Sequence, residues 1–347
     1  MIGEVYTALG TPNIALIKYW GKRDEKLILP KNSSISLTLD DSLNTKTSVV
    51  FSDKLKEDTF YINGEQQNLL GKDANERLGV INILREKAGV KTHFLVVSNN
   101  SFPTASGLAS SASGIAALVF ATSQALDLNL NHEELSTIAR MGSGSACRSL
   151  FGGFVRWNMG EKNDGSDSFA EQIVSNDHWP EIVDIIAVVT EEKKKVSSRA
   201  GMQQTVENGI LYAGRIDYVE NAVEELARAI REKDFETLAL ITMRDSNNMH
   251  ATMLDTWPPI FYMNDVSRSI VYKIHDLNLG EGRNIAAYTF DAGPNAHIIT
   301  TDSNKAKVLE ILNDIEGIKI IEAKAGTGPK LIKNHSIEEQ GLTPVGV

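Results

Sequence analysis

The chain has 347 residues, enough for two domains and a well-buried core. It is 42% hydrophobic and 23% charged with a formal net charge of −10, which suits a globular protein and argues against nucleic acid as a partner. Its single cysteine, Cys147, excludes an intrachain disulfide and a cysteine-based metal site. Residues 1–10 show no basic-then-apolar leader and no apolar run is long enough for a bilayer, so a cytoplasmic location without membrane partners is expected.

In chain order, residues 7–23 open as a strand-like run and close on Lys18, Lys22 and Arg23 around the aromatics Tyr19 and Trp20. Cations on a short element facing a pocket can hold a diphosphate or a carboxylate. A solvated basic turn reads the same way. Alternating apolar positions from Ile35 predict a half-buried strand over 35–39. Residues 47–51 and 59–62, the latter followed by Asn63-Gly64, predict a hairpin or meander. A helix over 75–87 should end at Gly89, and a strand is expected at 94–97.

Next comes Pro103-Thr104-Ala105-Ser106-Gly107-Leu108-Ala109-Ser110-Ser111-Ala112-Ser113-Gly114, between that strand and an Ala-rich helix over 115–125. A helix N-terminus offers unpaired N–H groups and a positive dipole end. Small residues there admit a polyphosphate to the backbone, and the serines add hydroxyls able to help hold a metal ion. An ordinary capped core helix is the plain alternative. Asn131 is a candidate cap for a further helix. Residues 140–149 form a second small-residue loop carrying Arg148, a side chain suited to a bidentate grip on carboxylate or phosphate. Residues 160–167 read as a surface loop.

The second half opens with an apolar strand over 184–190, and the domain boundary is placed just before it, near 180. Val219, Ala222, Val223, Leu226, Ala227 and Ile230 lie on one helical face. Helices are also predicted over 235–249, 266–277 and 305–312. Strands are predicted over 285–290, 296–301 and 318–323, and a loosely held tail beyond Lys333. Strands and helices without strict alternation indicate an α+β class.

There is no Walker A pattern, no GxSxG elbow, no HExxH and no ligand spacing among the seven histidines. Asp291 ends an apolar strand before a turn and has no cation beside it in sequence, so it is the best acid–base candidate. Partial desolvation there should raise its proton affinity. A turn aspartate bonding its own backbone is the alternative.

The combination of loops resembles the GHMP kinase superfamily, whose Pro-x-x-x-Gly-Leu-x-Ser-Ser-Ala loop matches residues 103–112. Within it the chain is most similar to the diphosphomevalonate decarboxylase family. The matching stretches are Asn13-Ile14-Ala15-Leu16-Ile17-Lys18-Tyr19-Trp20-Gly21-Lys22-Arg23, Asn32-Ser33-Ser34-Ile35-Ser36, residues 102–111, residues 142–153 and Phe290-Asp291-Ala292-Gly293-Pro294-Asn295-Ala296. Met141 and Ser106 depart from the family's usual basic residue and alanine.

The resemblance implies a two-domain GHMP kinase fold, with an S5-like N-terminal domain over 1–180, a ferredoxin-like C-terminal domain over 181–347 and the active site in the cleft between them. It implies Asp291, Lys18 and Arg148 as catalytic residues, with Arg148 holding a carboxylate. Asn13, Tyr19, Lys22, Ser143, Ser145, Ser197 and Arg199 are the implied substrate contacts. Ser106, Gly107, Leu108, Ala109, Ser110 and Ser111 would cover ATP, with Ser110 and Ser111 near Mg2+. The implied function is ATP-dependent decarboxylation of mevalonate 5-diphosphate to isopentenyl diphosphate, often by a homodimer. A mevalonate 5-phosphate substrate, a mevalonate 3-kinase-like reaction or a non-catalytic ligand sensor are the alternatives.

Overall fold

The structure is a computed structural model that describes residues 2–71, 74–102, 110–189 and 195–342, with only the backbone of Ser110. Ser106, Gly107, Leu108, Ala109 and the Ser110 side chain therefore lie outside the described residues.

The first half supplies β1 (Tyr6–Gly10), β2 (Asn13–Ile17), β3 (Lys22–Asp24), β4 (Leu29–Pro30), β5 (Ser34–Thr38), β6 (Thr45–Ser52), β7 (Thr59–Ile62), β8 (Glu65–Gln66), α1 (Asn75–Ala88), β9 (His93–Asn100), α2 (Ser110–Ala125), α3 (His132–Gly142), a 3-10 turn (Gly144–Leu150), β10 (Phe154–Trp157) and β11 (Ala170–Val174). The second supplies β12 (Ile182–Val188), α4 (Ser198–Asn208), α5 (Tyr212–Glu232), α6 (Phe235–Leu254), α7 (Asp265–Glu281), β13 (Ala286–Phe290), β14 (Ala296–Thr301), α8 (Lys305–Asn313), β15 (Lys319–Lys324), β16 (Lys330–Ile332) and α9 (Ser336–Glu339). The mixed content is the expected α+β class.

Three main sheets run β16-β1-β6-β9-β7-β8, β11-β10-β5-β2 and β13-β14-β12-β15. Helix α2 lies on the first sheet through fully buried Ala112, Ala116, Ala117 and Ala121. The fit is so close that a Cβ on Gly10 would stand 2.6 Å from the Ser113 carbonyl oxygen, which is why β1 ends in glycine. The larger core is shared between the halves. It joins Ile14, Leu16, Ile17 and Leu37 of β2 and β5 to Ile185, Leu226, Tyr288 and Phe290 of the second half. Strand β2 is buried at all five residues and packs against α6, so the element leading to Lys18 is enclosed by the second half of the chain.

The six apolar positions predicted for α5 are all buried, as a 3.6-residue period requires. Asn131 caps α3 in a capping box with Glu134. Two expectations change. Asn63-Gly64 turns β7 into β8, while β9 separates β6 from β7, antiparallel to one and parallel to the other. Alternation marks a strand but not its partner. The tail is not loose as far as residue 342: β16 pairs antiparallel with β1, covering an edge, and α9 buries Ile337 in a small cluster with Val50, Leu95 and Val97.

Candidate functional site

Two chain breaks out of regular structure meet at the site. Strand β2 stops at Ile17, and the next residue, Lys18, carries its side chain into the interior with 2% exposure. Strand β13 stops at Phe290, and Asp291 opens the tight turn to β14, where the Gly293 N–H donates to the Asp291 carbonyl at 2.7 Å. Lys18 Nζ stands 2.6 Å from Asp291 Oδ1, and the Asp291 side chain keeps 38% exposure. The pair is thus a buried ammonium holding one oxygen of a carboxylate that remains open to the surface.

The electrostatics reverse the sequence expectation for Asp291. Burial is the largest single influence and pushes its proton affinity up, but the Lys18 ammonium pulls it down both by charge and by hydrogen bond. His297 and Arg148 add to that pull, and the carboxyl sits below the ordinary aspartate range. Lys18 is itself lowered, because burial penalises its charge more than Asp291 and Asp245 restore it. The partner absent from the local sequence is supplied by the fold.

Arg148, in the 3-10 turn after α3, is 2% exposed and is gripped by side-chain oxygens. Its Nη1 donates to Ser34 Oγ at 2.7 Å, its Nε to Ser36 Oγ at 2.9 Å and its Nη2 to Asn13 Oδ1 at 3.1 Å. Asn13 is oriented in turn by donating to Ser149 Oγ at 2.8 Å and to the Ser145 carbonyl at 3.0 Å. Among the described residues no carboxylate forms an ion pair with Arg148, so a buried positive charge stands ready for an anion.

This explains a second correction. Strand β5 was expected to be half-buried, yet all five residues are buried, because its polar face of Ser34 and Ser36 turns toward Arg148 instead of solvent.

Tyr19 follows Lys18, and its ring meets Trp157 edge-on with centroids 4.7 Å apart. A Cβ on Gly144 would reach within 2.8 Å of the Tyr19 ring, so glycine starts the turn. The Tyr19 hydroxyl is buried with no hydrogen-bond partner among the described residues, and burial, then the Glu25 charge, raises its proton affinity. Ser143 Oγ lies 3.3 Å from Ser111 Oγ, which brings the second small-residue loop to the first turn of α2.

The outer contacts have protein partners. Lys22 pairs with Glu25 at 2.5 Å. Arg199 pairs with Glu76 and reaches toward the Gly142 carbonyl at 3.5 Å. Ser197 caps α4 by accepting from the Ala200 N–H at 3.2 Å. Sequence reasoning missed Arg215, Asp245 and His250, all buried beside Lys18, because single charged residues inside helices carry no local signature.

Among the described residues no cluster of three or more His, Cys, Asp or Glu could cage a metal. Among the described residues, the donors by the α2 N-terminus include the hydroxyls of Ser111 and Ser143. They fit a magnesium ion that keeps phosphate and water oxygens as its main ligands.

Two family profiles match the sequence: the Diphosphomevalonate decarboxylase-like N-terminal domain over residues 10–170 and the Mevalonate 5-diphosphate decarboxylase C-terminal domain over residues 184–339. Diphosphomevalonate decarboxylase of Schizosaccharomyces pombe is 50% identical over 317 residues, spanning 86% of this chain and 79% of that protein. The solved structure described as MDDEF in complex with MVAPP, AMPPCP and magnesium is 39% identical, with a TM-score of 0.86 over 95% of this chain and 99% of that one. The mevalonate diphosphate decarboxylase of Enterococcus faecalis, studied for mevalonate diphosphate mediated ATP binding, is 38% identical, with a TM-score of 0.84 over the same shares.

Proposed function

Because this chain belongs to the diphosphomevalonate decarboxylase family, we propose that Asp291, Lys18 and Arg148 carry the family's reaction in it. The protein is an ATP-dependent carboxy-lyase with the GHMP kinase fold. It converts mevalonate 5-diphosphate to isopentenyl diphosphate, ADP, phosphate and CO2, with ATP as co-substrate and Mg2+.

The observation that carries the residue assignment is the 2.6 Å Lys18–Asp291 pair beside an Arg148 with no carboxylate of its own among the described residues. The substrate brings the missing groups: a tertiary hydroxyl for Asp291 and a carboxylate for Arg148. Asp291, held ionised by Lys18, accepts the hydrogen bond of the 3-hydroxyl, aims its oxygen at the terminal phosphoryl group and takes its proton as that group transfers. A carboxylate below the usual range is a modest base, so most of its work is orientation. Bound magnesium supplies neutralisation of phosphate charge. Arg148 fixes the carboxylate while the 3-phosphate departs. The electron pair of the bond to the carboxylate then fills the developing positive centre, releasing CO2 and forming the alkene.

Asn13, Tyr19, Lys22, Ser143, Ser145, Ser197 and Arg199 are proposed as the remaining substrate contacts. The 106–111 segment at the head of α2 is proposed to hold the ATP phosphates, with Ser110 and Ser111 nearest the metal. The same reading divides the chain into an S5-like domain at 1–180 and a ferredoxin-like one at 181–347. The gap between the matched profiles supports that cut, although β16 and α9 return to the first sheet. A homodimer is proposed with it, for which Trp257 and Phe261, 81% and 70% exposed, offer apolar surface. A cytoplasmic location fits the lone free, buried Cys147.

The test is Asp291→Asn, assayed for ADP and CO2 release from mevalonate 5-diphosphate. Turnover should fall on the order of a thousandfold while substrate still binds. Normal turnover would exclude Asp291 from the role.

A further inference from the structure

Arg215 of α5 and Asp245 of α6 form an ion pair at 3.0 Å with both side chains fully buried. Burying such a pair returns little net stability, so its purpose lies in what it touches. Asp245 Oδ2 accepts the Lys18 main-chain N–H at 2.7 Å, and Arg215 Nη2 donates to the Lys18 carbonyl at 2.8 Å. Asn32 Nδ2 donates to the same carbonyl at 2.9 Å. Lys18 lies just beyond the β2 ladder, whose register with β5 already shifts between Ala15 and Ile17, so the sheet does not hold it. The next residue of α6 acts on the other partner: Ser246 Oγ accepts the Phe290 N–H at 3.0 Å, immediately before Asp291.

We propose that Asp245 and Ser246, neighbours on α6 and braced by Arg215, are positioning residues that set the Lys18–Asp291 separation by gripping the main chain on each side of the pair. The proposal rests on the reading above that Lys18 and Asp291 act in the reaction. A single helix then fixes the distance between two groups drawn from opposite ends of the sequence. The charged groups facing Lys18 are Asp291 from the β13–β14 turn, Arg148 from the 3-10 turn, Arg215 from α5, and Asp245 with neutral His250 from α6. Asp245 is one of the two that favour the ammonium.

The experiment compares Asp245→Asn, Ser246→Ala and Ser246→Thr with the parent enzyme, measuring kcat, KM for mevalonate 5-diphosphate, the pH profile and the thermal midpoint. Loss of the Ser246 bond in Ser246→Ala, or of one of the two acceptor oxygens in Asp245→Asn, should lower kcat about tenfold with KM within about twofold, and Ser246→Thr, which keeps the hydroxyl, should restore most of it. Asp245→Asn should also move the alkaline limb of kcat to lower pH, since a negative neighbour of Lys18 is gone. A purely structural role would lower the thermal midpoint and leave kcat and the limb unmoved, which overturns the proposal. If Asp245→Asn does not fold, the double variant Arg215→Met with Asp245→Leu removes both charges and asks the same question: low kcat supports the clamp, parental kcat overturns it. Lys18→Met separates the two readings. Full turnover in it would sink the catalytic assignment, whereas an inactive Lys18→Met beside unaffected clamp variants would sink the clamp alone.

Discussion

Two arginines eight positions apart, Arg140 near the end of α3 and Arg148 in the turn that follows, are both almost wholly buried and both lack a carboxylate partner among the described residues. They differ in what they grip. Arg140 spends its donors on main-chain carbonyls: Leu27 at 3.1 Å, Gly165 at 2.8 Å, and Ser168. These oxygens belong to the β3–β4 connection and the 160–168 loop, so the contacts tie two backbone segments together. Arg148 instead grips the hydroxyls of Ser34 and Ser36 and the amide of Asn13. Hydroxyls rotate and can be exchanged for a stronger acceptor at little cost. The same buried charge therefore serves as a tie in one place and, on the proposed function, as a receptor in the other. Burial lowers the proton affinity of both guanidiniums. Both nonetheless keep their charge, since arginine does not deprotonate in proteins.

The comparison is broken most directly at Arg148. Arg148→Met should lower kcat/KM on the order of a hundredfold or more in steady-state assays while the fold survives, because no protein carboxylate among the described residues is left behind. A small loss would mean the receptor reading is wrong. Arg140→Met should do the converse. Stability should fall by about 3 kcal/mol in urea titration as buried carbonyls lose their donors, with kcat of the folded protein within about twofold.

His250 sharpens the contrast, because an imidazole can answer burial by giving up its proton. Burial, then the Lys18 charge, pushes its pKa down to about 4, and its Nε2 is buried without a partner among the described residues. The folded state thus resists a proton that the unfolded chain takes up at the ordinary histidine value of about 6.5. Stability contributed by neutral His250 is fully present above that value and falls as the pH drops toward about 4, by about 3 kcal/mol in total. Thermal midpoints measured across this window should show the decline, and His250→Gln should flatten it. The smallest expected effect is at Tyr19, whose hydroxyl bonds nothing among the described residues. Tyr19→Phe should leave stability unchanged or slightly higher and raise KM for mevalonate 5-diphosphate about fivefold, as the proposed hydrogen bond to the substrate is lost.

Legibility in the sequence varied with how local each signal is. The buried face of α5, the Asn131 cap and the strand–turn–strand around Asp291 follow from periodicity and capping, which act over a few residues. The residue types of the site were visible as long motifs. The function of β5 was only half visible, since alternating Ser-Ile-Ser-Leu-Thr reads as a surface strand until something is known to cover its polar side. Arg215, Asp245 and His250 left no mark, because an isolated charge in an amphipathic helix looks solvated.

By itself the amino-acid sequence determined the α+β class, most element positions and the set of side chains available for chemistry, because short-range sterics and hydrophobic periods are written residue by residue. Tertiary structure alone decided that Lys18 and Asp291, 273 positions apart, stand 2.6 Å from each other. It also decided the sign of the Asp291 shift, since Lys18 at hydrogen-bond distance, together with His297 and Arg148, outweighs the desolvation that the local sequence implied.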